Sequence, residues 1–243
     1  MDIIPIKTRI VQPPKDNIYD ILDGLELQEK DVLLVTSKIL AIHQGRTIPV
    51  SEVKDKDELI KKEAEVFIPR GECPGEYVIL TVKNSTLIPS AGIDESNADG
   101  YYILWPEKPE KEAKKICKYL KKRNNIKKLA VIITDSHTTP LRWGVMGIST
   151  GFFGLNPLKD YRGTKDIFGR EIKMSQSNIV DALAVMGVLA MGEGDERKPM
   201  AIARGVENIE FTDKETYEDL LIPTKEDIYY PLLKKFDKTG RKK

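Results

Sequence analysis

Apolar runs bounded by turn residues mark the strands of this chain. Residues 31–36 (DVLLVT) and 129–133 (LAVII) are unbroken apolar runs of strand length, which is typical of strands buried within a sheet. Pro5 lies inside a further extended segment and predicts that this segment is an edge strand, because proline cannot donate to a sheet ladder. The further predicted strands are residues 2–11, 77–82, 101–105, 167–174 and 200–206.

Two segments have strong helical patterns. In residues 108–122, Ala113, Ile116, Cys117 and Leu120 recur at helical spacing among lysines, which predicts a surface helix with one buried stripe and Cys117 as a small buried thiol. Residues 178–191 are apolar almost all round and predict a buried helix.

Shorter helices and one isolated charge complete the pattern. Residues 17–22 read as a short helix with Asp16 as its N-cap, and residues 51–66 as a charged helix on the surface. Asp181 is the only charge of the apolar helix, and a lone buried acid requires a partner or a cation.

Composition narrows the function classes. The 243 residues carry a formal net charge of only +1, without the basic excess typical of nucleic-acid binders. No apolar run approaches 18 residues and no signal-peptide pattern is visible, so we expect a cytoplasmic protein that is not membrane-bound. We expect one domain over residues 1–236 and a disordered tail over residues 237–243.

The cysteine and histidine content bears on metal binding. The two cysteines are not in metal-type spacing, and two histidines are too few for a typical zinc site. A bound metal would therefore take oxygen ligands, which favours Mg²⁺ or Mn²⁺.

Three loops carry acidic residues, and each loop follows an apolar element. These acid-bearing loops are residues 91–100, 134–140 and 192–196. Asp135 and the adjacent hydroxyl of Ser136 are suited to a hard cation. Each loop alone is equally typical of a turn or a helix cap, and a single lysine or arginine nearby is usually a solvated surface charge.

Convergence of the loops would change that interpretation. Carboxylates of Asp94, Asp135 and Glu193 placed about 4 Å apart would repel by about 1 kcal/mol in water and about 4 kcal/mol near a protein surface, so they would need a cation between them. Lys38 and Arg142 would add phosphate-binding charge.

The combination of a metal site with phosphate-binding bases indicates nucleotide-dependent phosphoryl transfer. A P-loop is not expected, because the chain lacks G-x-x-x-x-G-K-[ST]. A metal-dependent phosphate-ester hydrolase and a nucleotide-binding module without turnover remain alternatives.

Four motifs in order carry a family resemblance. They are A-G-I-D-E-S-N at residues 91–97; T-D-S with Pro140, Arg142 and Gly144 at residues 134–144; D-Y-R-G with Asp166 and Gly169 at residues 160–169; and M-G-E at residues 191–193. Together they resemble the coenzyme F-420-0:γ-glutamyl ligase family over nearly the whole chain.

This resemblance implies a mixed α/β (α+β) fold with mixed sheets and an intertwined homodimer. It implies GTP, or ATP, as co-substrate and two Mg²⁺ or Mn²⁺ ions. The implied reaction converts a small-molecule carboxylate to an acyl phosphate, and the amine of L-glutamate then attacks it to form an amide.

The resemblance also assigns residues position by position. It implies metal ligation by Asp94, Asp135, Ser136 and Glu193, with Glu196 as a neighbouring candidate, and catalytic roles for Lys38 and Arg142. The implied nucleotide-binding residues are Arg9, Ile10, Ser37, Lys38, Asn97, Gly192, Gly194 and Glu196.

The chain departs from the family pattern in two places. Ile42 stands where the family has a basic residue, and residues 137–139 (HTT) replace an aromatic and Gly-Arg segment. Relatives with an S-H-T-T-P-L-R loop resemble γ-glutamate ligases proposed for folate metabolism. A folate or pterin carboxylate is therefore the leading alternative to F-420-0 as acceptor.

Overall fold

The structure is a computed structural model that describes residues 1–236, so the predicted tail lies outside the described residues. Its strands are β1 Asp2–Ile6, β2 Asp31–Thr36, β3 Thr47–Pro49, β4 Val66–Ile68, β5 Leu80–Lys83, β6 Thr86–Pro89, β7 Tyr101–Ile103, β8 Leu129–His137, β9 Met146–Phe153, β10 Leu158–Asp160, β11 Gln176–Asn178 and β12 Met200–Arg204. Its α-helices are α1 Tyr19–Leu22, α2 Ser37–Gln44, α3 Lys56–Glu63, α4 Pro109–Asn124, α5 Ile179–Met191 and α6 Tyr230–Leu233.

A five-stranded mixed sheet in the order β1-β12-β2-β8-β9 forms the centre of the fold. Only the β2–β8 pair is parallel, and its register places Thr36 opposite Thr134. Because parallel strands end at the same edge of a sheet, the residues that follow β2 lie beside the last residues of β8. The predicted edge strand is confirmed, since β1 pairs with β12 alone in this sheet.

Helices cover both faces of this sheet. On one face Leu33 and Val131 pack with residues of α1, α2 and α4. On the other face Val32 and Ile132 pack with α5. The uninterrupted apolar character of β2 and β8 follows from this double burial.

Three smaller sheets surround the central one: β3-β7, β4-β5-β6 and β10-β11. The first two enclose a separate core around Ile60, Ile79 and Tyr102. The mixed α+β class predicted from the sequence is confirmed by this set of parallel and antiparallel pairings.

The predicted surface helix is confirmed, with Ala113, Ile116, Cys117 and Leu120 all buried. The Cys117 thiol donates to the carbonyl of Leu129 at 3.2 Å, and burial raises its pKa to about 12. Cys117 is therefore a protonated thiol within the core.

The predicted strand over residues 167–174 is wrong. Ile167, Phe168 and Met174 are exposed, and the segment turns back on itself between β10 and β11. The carboxylate of Asp166 accepts from the amides of Phe168 and Arg170, and Gly169 has φ +82°. Apolar composition misled the prediction because local turn chemistry determines the backbone here.

The N-terminal helix is shorter than predicted, and Asp16 does not cap it. The N-cap position is Ile18, whereas Asp16 accepts both guanidinium contacts of Arg9 at 2.5 and 2.8 Å. Asp16 also accepts from the amides of Gln12 and Asn17. Its role is to fix the segment before the helix.

Two elements near the sheet edge differ from the sequence prediction. Helix α2 was missed, because its apolar residues directly continue β2 and resemble a longer strand; its end at Gly45, with φ +69°, agrees with the predicted turn there. Strand β8 continues through Asp135 and Ser136 to His137, where the sequence predicted a loop.

Helix α5 confirms a predicted helix but is not buried all round. Gly187 packs tightly on the side chain of Leu34, whereas Leu189 is 83% exposed. The predicted need of Asp181 for a partner is met within the protein: its carboxylate accepts from the amide of Ser149 at 2.9 Å and from Asn178. This acid therefore stabilises the α5–β9 junction.

Candidate functional site

A cavity of about 750 Å³ lies at the edge of the central sheet where β2 and β8 end. Every site residue predicted from the sequence lines it except Arg142. Arg142 is exposed in the β8–β9 hairpin, and its guanidinium donates to the carbonyl of Leu141. The sheet edge therefore brings the three acid-bearing loops together, a convergence that the sequence alone left open.

Asp135 lies at the floor of this cavity. Its Oδ2 accepts from Ser37 Oγ at 2.7 Å, and its Oδ1 accepts from the Ser136 amide at 2.8 Å. Burial raises the pKa of Asp135 to about 6, although both hydrogen bonds favour the carboxylate form. Its hydrogen-bond partners are neutral, and the charge of nearby Lys38 lowers its pKa without outweighing burial.

Asp94 reaches the cavity from a different part of the chain. A backbone bridge to Ile103 holds its main chain, and neighbouring Ala98 packs against α2 through Ala41 and Ile42. Asp94 Oδ2 lies 2.6 Å from Nζ of Lys38. Burial alone would raise the pKa of Asp94, but the hydrogen bond and charge of Lys38 outweigh it and the pKa lies below its ordinary value.

Glu193 enters the cavity from the end of α5. Its Oε2 accepts from Ser136 Oγ at 3.4 Å, which joins the third loop to the end of β8. Burial is the largest influence on Glu193 and raises its pKa, and the nearby negative charge of Asp94 adds to this effect. Among the described residues, neither Glu193 nor Asp135 forms an ion pair, and the charge of nearby Lys38, which lowers both pKa values, does not outweigh burial.

The glycine loop after α5 closes one wall of the cavity. The Gly194 amide donates to Glu196 Oε2 at 2.8 Å, and Asn97 Nδ2 donates to the Gly194 carbonyl at 2.9 Å. Gly192 has φ +82°, and a Cβ there would lie 2.4 Å from the Glu196 carboxylate. The positive φ favours glycine at position 192, whereas the nearby carboxylate is the end of a flexible side chain that can shift.

Arg9 and Ile10 also line the cavity. The guanidinium of Arg9 is held by Asp16, so its charge is already paired. This segment therefore offers a ligand mainly its backbone.

The donor set is suited to a hard divalent cation. The side chains of Asp94, Asp135, Glu193 and Ser136 offer only oxygen atoms as ligands. Of the three carboxylates, Asp94 forms an ion pair with Lys38, and the other two accept from neutral groups. Within residues 1–236, no three His, Cys, Asp or Glu side chains stand close enough together to form a ready metal-binding cluster. The carboxylates thus line one cavity without being preassembled as a ligand set.

Comparison with known proteins identifies the family. The F420-0:Gamma-glutamyl ligase family model matches residues 5–205. The chain belongs to this γ-glutamyl ligase family. It is 33% identical over 220 residues to the coenzyme F420:L-glutamate ligase of Methanopyrus kandleri, covering 84% of this chain and 85% of that one. It is 31% identical over 229 residues to the enzyme of the same name from Methanocaldococcus jannaschii, covering 88% and 90%.

Membership in the γ-glutamyl ligase family confirms the predicted resemblance and the predicted enzyme class, a ligase that forms an amide bond. Among the described residues no helix has both the length and the apolar content required to cross a bilayer.

Sequence reasoning missed two basic residues of this γ-glutamyl ligase site. Arg197 and Lys198 line the cavity directly after the glycine loop, and the Arg197 carbonyl accepts from the Thr8 amide at 3.0 Å. Their position beside Glu196 was a signal, because two bases that follow a glycine-rich loop are suited to an anionic ligand. The acidic residues of the same loop were interpreted as metal ligands, and the two bases that follow them were overlooked.

Proposed function

We propose that this protein joins L-glutamate to a small-molecule carboxylate at the expense of GTP or ATP and with a divalent cation, Mg²⁺ or Mn²⁺. The observation that carries the proposal is the pairing, in one cavity, of undercompensated carboxylates with Lys38 and the Gly192–Gly194 loop. Family membership supplies the reaction class, and the relatives' names supply coenzyme F420 and L-glutamate as the first ligands to test.

The proposed chemistry has two steps. An oxygen of the acceptor carboxylate attacks the terminal phosphorus, the bond to the bridging oxygen breaks, and the nucleoside diphosphate leaves. The glutamate amine then attacks the acyl carbon, gives up a proton and displaces inorganic phosphate. One amide bond forms, and one phosphate is released with the diphosphate.

The residues have distinct tasks in this scheme. Asp94, Asp135, Ser136 and Glu193 would hold the divalent ions, whose charge offsets that of the phosphates. The backbone of residues 192–196 and of Arg9–Ile10 binds the nucleotide, with Asn97 bracing the first of these loops. Lys38 supplies a point charge to the transferred phosphate.

The acceptor is either F-420-0 or a folate or pterin carboxylate. The difference at residues 137–139 and the apolar Ile42 support testing both classes, because Ile42 is buried among apolar side chains at the cavity wall and removes one positive charge that the family carries.

The first experiment is a product assay by mass spectrometry. Purified protein is incubated with Mg²⁺ or Mn²⁺, GTP or ATP, labelled L-glutamate and either F-420-0, tetrahydrofolate, dihydrofolate or folate monoglutamate. We expect one acceptor to gain the mass of one or more labelled glutamyl residues, with equal release of nucleoside diphosphate. Phosphate release that ignores glutamate would instead indicate a hydrolase, and tight nucleotide binding without phosphate release on any acceptor would indicate a binding module.

We also propose that the protein works as a homodimer. Large apolar side chains protrude from three neighbouring parts of the chain: the β8–β9 hairpin with Trp143, the β10–β11 hairpin with Ile167 and Phe168, and the outer face of α5 with Leu189. Large exposed apolar side chains concentrated in a few elements are typical of an interface.

Analytical sedimentation tests whether the protein is a dimer. We expect the wild-type chain to sediment as a dimer and Leu189→Lys to shift it toward the monomer, because a charge would be buried at the interface. Leu232→Lys, at an exposed leucine of the separate helix α6, is the control and should leave the mass unchanged. A monomeric wild type would contradict the proposal.

A further inference from the structure

Lys38 is fully engaged by one short loop. It lies in the first turn of α2, and its ammonium donates to the Ser96 carbonyl at 2.9 Å and to Ser96 Oγ at 3.2 Å, besides its contact with Asp94. An ammonium has three donors, and these three contacts account for all of them. In this arrangement Lys38 has no donor left for a phosphate.

Asp94 is equally engaged. Its Oδ1 accepts from the Ser96 amide at 2.7 Å, and its Oδ2 accepts from Lys38 and from Ser96 Oγ. The ammonium therefore contacts the same carboxylate oxygen that a divalent cation would need as a ligand. Two cations cannot share this oxygen at close range without strong repulsion.

Asp135 provides the contrast within the same cavity. Its contacts come from the Ser37 hydroxyl and the Ser136 amide, which carry no net charge. A cation approaching Asp135 displaces no other cation, whereas a cation approaching Asp94 must displace Lys38. The two carboxylates are therefore not equivalent toward a metal ion.

We propose that Lys38 is the internal counter-ion of Asp94 in the free protein, and that a divalent cation exchanges with it and frees its ammonium for the nucleotide phosphates. This inference rests on the proposed function and adds an order of events to it: the metal ion displaces Lys38 before Lys38 contacts the phosphates. Metal and nucleotide binding would be positively coupled through a single side chain, and the coupling would be the same in either direction.

The decisive variant is Lys38→Met, which removes the charge and keeps a chain of similar length. We expect Mn²⁺, titrated without nucleotide and followed by electron paramagnetic resonance, to bind this variant about tenfold more tightly than wild type, a difference of about 1.4 kcal/mol. Lys38→Arg retains a cation at Asp94 and should keep the wild-type Mn²⁺ affinity.

Lys56→Met is the matched control for the loss of one positive charge. Lys56 lies 2.9 Å from Glu95 in the same loop, but neither residue lines the cavity. We expect its Mn²⁺ affinity to remain within about twofold of wild type. A rise equal to that of Lys38→Met would show only a general effect of charge and would overturn the exchange.

Nucleotide binding provides the second readout. A non-hydrolysable GTP analogue should bind wild type more tightly when Mn²⁺ is present, and Lys38→Met should lose most of this gain and bind the analogue more weakly with the metal. Equal or weaker Mn²⁺ binding by Lys38→Met would overturn the exchange. If instead wild type bound no Mn²⁺, or Asp94→Asn bound it as tightly as wild type, the metal site of the proposed function would itself be wrong.

Discussion

Replacing Asp135 with asparagine is expected to lower glutamate-dependent release of nucleoside diphosphate at least several hundredfold. Asparagine keeps the size of the side chain and one acceptor oxygen for the Ser37 hydroxyl, but it has no negative charge with which to hold a cation. A several-hundredfold fall corresponds to about 3.5 kcal/mol of transition-state stabilisation. The measurement is steady-state release at saturating Mg²⁺ and nucleotide with the acceptor identified by the product assay.

Glu95→Gln is the matched control for this experiment. Glu95 lies beside Asp94 in the chain but pairs with Lys56 outside the cavity, so its activity should stay within about twofold of wild type. Retention of more than about a tenth of wild-type activity by Asp135→Asn would mean that the carboxylate does not hold a metal under the transferred phosphate.

The parts of this site that the sequence predicted share one physical origin. Asp135 lies near the end of β8, after the buried residues of that strand, and Glu193 follows an apolar helix that ends at a glycine. Elements buried in a core have fixed ends, so residues immediately after them are placed reproducibly, and parallel pairing of β2 with β8 brings two such ends together. The pattern of apolar runs therefore raised convergence as the condition for a shared site, and the fold meets that condition.

The parts that the sequence did not predict depend on partners distant in the chain. Nothing in the order of residues indicates that Lys38 would engage Asp94 and Ser96, or that Asp16 would hold Arg9 instead of capping a helix. The burial that raises the pKa of Asp135 likewise arises only after folding. Such properties depend on packing, and local patterns carry no information about them.

The turn over residues 167–174 illustrates a different limit. Its apolar residues are exposed, so the hydrophobic content of this segment does not indicate burial in the core. In the proposed dimer a second copy covers these residues. Their apolar character would then indicate burial at the interface and not in the core of one chain. Reasoning from a single chain assigns an apolar run to that chain's own core, although exposed apolar surface can also mark an interface.

The second large effect expected of Asp135→Asn is that it stabilises the free protein. Burial raises the pKa of Asp135 from 3.8 to about 6, so the folded state binds its proton more tightly than the unfolded state does. The charged carboxylate therefore costs stability above pH 6, and this cost disappears as the pH falls toward 4. A shift of about two pKa units corresponds to at most about 3 kcal/mol, and partial exposure reduces the expected gain to about 1–2 kcal/mol.

Urea unfolding without metal or nucleotide, at pH 7.5 and at pH 4, measures this difference. Asp135→Asn should be more stable than wild type at the higher pH and equally stable at the lower one. Asp94→Asn is the control of opposite sign, because Lys38 holds the pKa of Asp94 below its ordinary value and the charged form there stabilises the fold above pH 4. Equal effects of the two variants would contradict the asymmetry between the carboxylates. A gain at position 135 alone would show that the fold gives up stability to keep an uncompensated negative charge where the proposed reaction needs a cation.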